Sequence, residues 1–104
     1  MQILGTEYNI VEDDEGLKKI NADGECRAYG KVIKIRPLES MLEEDATDAE
    51  RKVRYDETLR HEAIHAFFYE CGRDDYSYNE ELVDFLSIQF PKLLKLFKEL
   101  DCCG

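Results

Sequence analysis

Two periodicities divide the chain. Before Pro37 the apolar residues fall in short runs. Lys31-Val32-Ile33-Lys34-Ile35-Arg36 alternates so that Ile33 and Ile35 share one face, the pattern of a half-exposed strand. Pro37, which has no N–H to give to a ladder, ends it. Upstream, Gln2 to Ile10 is a mixed apolar segment that stops at the acidic run Glu12 to Glu15, and Gly16 to Ile20 fits one helical turn. Asn21-Ala22-Asp23-Gly24 signals a turn, leading into a segment of strand composition, Glu25 to Tyr29.

Beyond Pro37 the spacing becomes helical. Thr47-Asp48-Ala49-Glu50 offers an N-cap with an acidic first turn, and neither Pro nor Gly intervenes before Cys71. Leu59, Ala63, Ala66 and Phe67 recur at helical intervals, and Phe67-Phe68-Tyr69 reads as core and packing surface. Gly72 stops this helix, and Arg73 to Tyr76 reads as a loop. Ser77 is placed to cap a helix that includes Glu80 and Glu81 and runs to about Gln89, with Leu82, Phe85, Leu86, Ile88 and Phe90 as its core residues. Pro91 starts or kinks a last helix, Lys92 to Leu100. Strands first and helices after predict the α+β class. The expected architecture is one domain over residues 1–104, with a small, mostly antiparallel sheet packed on a long helix and a following glutamate-bearing helix.

Composition narrows the functional classes. A chain of 104 residues with 43% hydrophobic and 37% charged residues is globular in character. Its net charge of -10 and the lack of a basic patch argue against nucleic acid and anionic lipid as partners. No apolar run approaches the roughly 18 residues of a membrane span. Met1-Gln2-Ile3-Leu4 has no basic n-region, so the expected location is the cytoplasm. The four cysteines form no C-x-x-C pair and read as free thiols.

The chemistry gathers at His61-Glu62-Ala63-Ile64-His65. Histidines four apart on a helix project about 40° from each other, one turn along the axis, so two imidazole nitrogens can reach one metal ion. Glu62 then lies close enough to meet a water on that metal. The two histidines of this motif are the only two in the chain. Downstream, Asn79-Glu80-Glu81-Leu82-Val83-Asp84 places Glu80 and Asp84 on one helix face. Glu80 is the candidate third ligand, with Glu81 its rival about 100° around the helix. Asp84 is the candidate acceptor for the outer N–H of a ligand histidine. His₂Glu ligation indicates one Zn²⁺ per chain.

H-E-x-x-H followed by N-E-x-x-x-D resembles the gluzincin branch of zinc metallopeptidases, of which thermolysin is the familiar example. In size the chain is similar to the minimal gluzincins and to short phage and bacterial ImmA/IrrE-like metallopeptidases. The resemblance covers residues 59 to 85. It implies His61, His65 and Glu80 as zinc ligands, Glu62 as general base and acid, and Asp84 behind a ligand histidine. It also implies a strand forming the upper rim of the cleft, expected here at Lys31 to Arg36, whose edge would pair with an extended peptide. Two departures stand out. Only 14 residues separate His65 from Glu80, and no third histidine exists to stabilise an oxyanion. Tyr76 and Tyr78 are the candidate donors for that role.

These readings lead to zinc-dependent hydrolysis of a peptide or protein substrate. The alternative is a catalytically weak or inactive, zinc-stabilised module that binds a protein partner. An additional idea is a latent enzyme in which Cys102 or Cys103 folds back onto the open zinc position.

Overall fold

The computed structural model describes residues 1–104 and is α+β. Strands β1 (Gln2–Ile3) and β2 (Thr6–Glu7) form an antiparallel hairpin whose turn, Leu4-Gly5, has positive φ at both residues. Gly5 adopts that conformation without strain, whereas Leu4 lacks the short polar side chain usual there. A second sheet follows in the order β3 (Asn9–Glu12), β5 (Val32–Ile35), β4 (Gly24–Arg27). β5 runs parallel to β3 and antiparallel to β4. The helical turn expected at Gly16 to Ile20 is α1 (Asp14–Lys19), capped by Asp13, whose side chain accepts from the Gly16 N–H.

Helix α2 (Asp48–Glu70) starts on a complete capping box. Thr47 Oγ1 accepts from the Glu50 N–H at 3.1 Å, and Glu50 Oε1 accepts from the Thr47 N–H at 2.8 Å. The core forms where α2 meets the sheets. Ile3, Tyr8, Ile33 and Ala66 are buried together, with Cys26, Leu59 and Ala63 packed against them. Ile33 and Ile35 are both buried, as their alternation requires. Phe67, Phe85, Ile88 and Phe90, expected in the core, are instead 44–61% exposed. Their apolar arc is wider than the surface α2 and α4 offer each other.

Glu70, at the end of α2, fastens the helix to the N-terminal strands. Its carboxylate accepts from Thr6 Oγ1 at 2.9 Å, Tyr8 OH at 2.7 Å and Lys31 Nζ at 2.8 Å. At the other side, Arg54 of α2 pairs with Asp23 at 2.6 Å, and Arg36 donates to the Ala22 carbonyl at 2.8 Å. These contacts hold the 21–24 turn, and therefore the start of β4, against α2.

The segment after Gly72 is more ordered than its sequence suggests. Asp74–Ser77 forms a short helix, α3, where a loop was expected. Asn79, not Ser77, caps the next helix, its Oδ1 accepting from the Leu82 N–H at 3.1 Å. That helix, α4 (Glu80–Glu99), continues unbroken through Pro91. Proline has no N–H, so the Ser87 carbonyl four residues earlier loses its helical partner. Arg60 Nε of α2 supplies the missing donor at 2.6 Å. A tertiary contact thus carries the helix past the residue expected to kink or restart it. No helix is long and apolar enough to cross a membrane.

Candidate metal centre

α2 and α4 bring three acceptor groups together. His61 Nε2 and His65 Nε2 are 3.1 Å apart. One Glu80 carboxylate oxygen lies 3.1 Å from His61 Nε2, and its other oxygen lies 3.1 Å from His65 Nε2. Glu80 is therefore the residue of its acidic pair that joins the histidines, while Glu81 is exposed and outside the group.

The outer ring nitrogens set the tautomers. His65 Nδ1 faces the Ser77 carbonyl, which can only accept, so Nδ1 carries the proton. Ser77 Oγ in turn donates to the His65 carbonyl at 2.9 Å, so residue and partner are locked reciprocally. His61 Nδ1 lies 2.8 Å from Asp84 Oδ1, the contact expected of Asp84, and donates to it. Both Nε2 atoms are then left as bare lone pairs aimed at each other and at a carboxylate. Without a cation these three acceptors repel.

Their chemistry fits a divalent metal. Tetrahedral zinc ligands at about 2.0–2.1 Å stand roughly 3.3 Å from one another, close to the 3.1 Å seen here. The surrounding charge favours the same occupant, since Glu25 and Glu62 add to Glu80 and Asp84. His61, His65 and Glu80 are the residues that can hold the ion.

Glu62 is buried beside this group, its Oε2 4.0 Å from His61 Nε2. Burial pushes its carboxyl up to about 7, and Glu80, Glu25 and Asp84 push in the same direction. A hydrogen bond from the backbone N–H of Cys26 opposes them only in part. Gly24 lets β4 come this close to the helix. A Cβ there would lie 2.8 Å from Thr58 Cγ2 and 3.0 Å from Glu62 Cγ.

Two clefts flank the triad along β4. One, of about 550 Å³, is polar and lies towards Asp23, Arg36, Arg54 and Glu57. The other, of about 490 Å³, lies towards Cys26, Tyr29, Tyr69 and Tyr78. Glu62 and His61 line both. The cleft rim is therefore β4, the edge strand, and not Lys31 to Arg36. β5 is central, paired on both sides, and has no free edge to offer a peptide.

Tyr78 lines the second cleft, 76% exposed. Tyr76 does not join it. Its ring stacks edge-on with Phe68 at 5.4 Å, and the Arg73 guanidinium covers it at 3.7 Å. Cys102 and Cys103 follow the far end of α4, about 30 Å along the helix from Glu80, so neither thiol is at the triad. Sequence reasoning missed Gly24, Tyr29, Tyr69 and the Ser77 carbonyl. A backbone carbonyl carries no sequence signal, and Gly24 was legible only as part of a turn. No protein-family model, no curated protein and no solved structure matches this chain.

Proposed function

We propose that this chain is a zinc-dependent peptidase of the gluzincin type. The observation that carries the reading is the convergence of His61 Nε2, His65 Nε2 and the Glu80 carboxylate beside a buried Glu62. Zinc bound there supplies a Lewis acid and a water acidified towards about 7.

The chain's own residues supply the rest. Glu62 takes a proton from the attacking water and passes it to the leaving amine of the peptide. Asp84 and the Ser77 carbonyl fix the two imidazoles so that neither ligand must reorient during the reaction. The outer edge of β4, apart from the Cys26 N–H that Glu62 takes, offers backbone groups to an extended peptide, with the two clefts receiving side chains on either side of the triad. Tyr78, one of three tyrosines on that cleft, offers a hydroxyl to an oxyanion.

Metal content and hydrolysis of a peptide library test the reading together. Zinc near one equivalent is expected in the wild type and in Glu62→Gln, and its loss in His61→Ala and Glu80→Ala. Hydrolysis is expected in the wild type alone. Zinc-free wild type, prepared without chelator, refutes the site. The high exposure of Tyr78 favours one second reading, a zinc-stabilised binding module, which loaded but inactive wild type would establish.

A further inference from the structure

The polar cleft beside the triad carries charge that the metal centre does not use. Glu57 lines it from α2, half-buried and four residues before His61. It therefore stands on the same helix face as that ligand, about 6 Å away along the axis. The cations around it are committed elsewhere. Arg54 pairs with Asp23 at 2.6 Å and Lys52 with Asp56 at 2.7 Å. Arg60 donates to the Ser87 carbonyl, and Arg36 donates to the Ala22 carbonyl and stands 3.9 Å from Asp23. Glu57 is left without an ion pair. Glu43 shares the cleft and is likewise unpaired. Arg51 donates to its carbonyl oxygen at 3.0 Å, not to its carboxylate, and so fixes the loop that brings it there.

We propose, building on the peptidase reading, that this cleft takes the lysine or arginine side chain of a residue beside the scissile bond, with the Glu57 carboxylate meeting its charge. Two kinds of occupant carry the opposite charge. A bare metal ion needs several converging donors, and the carboxylates of this cleft do not converge as His61, His65 and Glu80 do. A cation on a long stem needs one carboxylate and room, which a cleft of about 550 Å³ provides. A peptide along the outer edge of β4 supplies that stem. Successive residues of a strand are about 3.4 Å apart, so the neighbour of a carbonyl held at the triad brings a long side chain within reach of Glu57. Glu62 and Glu80 lie closest to an ion at the triad, so its charge is matched there and not at Glu57. The tyrosine-lined cleft offers no equivalent group. Its one carboxylate outside the metal centre, Glu25, is paired with Arg27 at 3.0 Å. The net charge of -10 favours a basic substrate at long range as well.

Peptide binding to zinc-loaded Glu62→Gln protein tests this apart from catalysis. By fluorescence anisotropy, an extended threonine peptide with one central lysine should bind roughly 10-fold or more tighter than the same peptide with norleucine. Glu57→Gln should abolish that preference with zinc content unchanged, and Glu57→Lys should transfer it to a peptide with a central glutamate. Glu99→Lys, an equal change of net charge at the far end of α4, should leave the preference in place. In the wild type, mass spectrometry of a digested peptide library should find lysine or arginine beside the cut bond. Equal binding of the lysine and norleucine peptides overturns the inference, as does a preference that survives Glu57→Gln or falls as far in Glu99→Lys. Hydrolysis with no basic residue beside the cut overturns it and leaves the peptidase reading standing. A Glu57-dependent lysine preference in a protein that hydrolyses nothing upholds it and refutes the peptidase reading alone.

Discussion

Glu62 and Glu70 stand two turns apart on the same helix and both meet the strands, yet their chemistry is opposite. Glu70 receives Lys31, Tyr8 and Thr6, and the Lys31 ammonium above all holds its carboxyl down at about 2. Glu62 has no cation within reach, is buried, and faces three other carboxylates, so it rises to about 7. The difference lies in what each strand presents to the helix. At Glu70 the strands bring donors; at Glu62 β4 brings a glycine, one backbone N–H and Glu25. A satisfied carboxylate fastens the fold, and a frustrated one is left available for proton transfer.

The largest expected effect separates the two directly. Glu62→Gln should reduce peptide hydrolysis by about 10²–10⁴-fold with zinc retained, while Glu70→Gln should leave the rate within a few-fold and lower the melting temperature. Equal losses of hydrolysis in both variants would erase the distinction.

Next comes Gly24→Ala. The added Cβ must displace Thr58 or Glu62. A loss of about 10–100-fold in kcat/KM is expected, with metal content unchanged. Wild-type kinetics would show that Glu62 does not depend on the close approach of β4.

The pH dependence of stability in chelator-treated protein should show the two glutamates with opposite signs. Between about 2 and the ordinary 4.5 the unfolded chain binds more protons at Glu70, so its contribution raises stability as pH rises. Between 4.5 and about 7 the folded chain binds more protons at Glu62, so that contribution lowers stability as pH rises. Denaturant titrations of Glu62→Gln should lack the second slope and those of Glu70→Gln the first; the reverse assignment would overturn the comparison.

The smallest effect is expected at Asp84→Asn. It keeps a hydrogen bond to His61 Nδ1 and removes the charge, so metal affinity should fall by about 10-fold, at the weak end of such changes. An unchanged affinity by competition with a chelating dye would show that the aspartate charge does not act through His61.

The site was more legible than the architecture around it, for physical reasons. Helical spacing alone sets His61, His65 and Glu62 on one face, and Glu80 and Asp84 on another. What brings the faces together resides in groups without a residue-specific signature, such as the Ser77 carbonyl beneath His65. Alternation located the strand at Lys31 to Arg36, but pairing order is long-range, and it made that strand central and β4 the rim. The β1–β2 turn has little signature in the sequence, because Leu4-Gly5 lacks the usual asparagine. Apolar spacing on α4 predicts more core than the fold buries, because a one-dimensional pattern cannot tell which apolar arc finds a neighbour.

The bond from Arg60 to the Ser87 carbonyl gives Pro91 a different meaning. An ordinary residue at 91 would close that carbonyl into its own helix and remove one of the contacts that set α4 against α2. With proline there, the vacated carbonyl becomes a fixed mark on one rod and the guanidinium its pointer on the other. A slip of one turn, about 5.4 Å, would orphan a buried acceptor and carry Glu80 away from both histidines together. The alignment of the candidate metal triad is thus gauged one turn beyond Asp84, by the residue that would ordinarily end the helix.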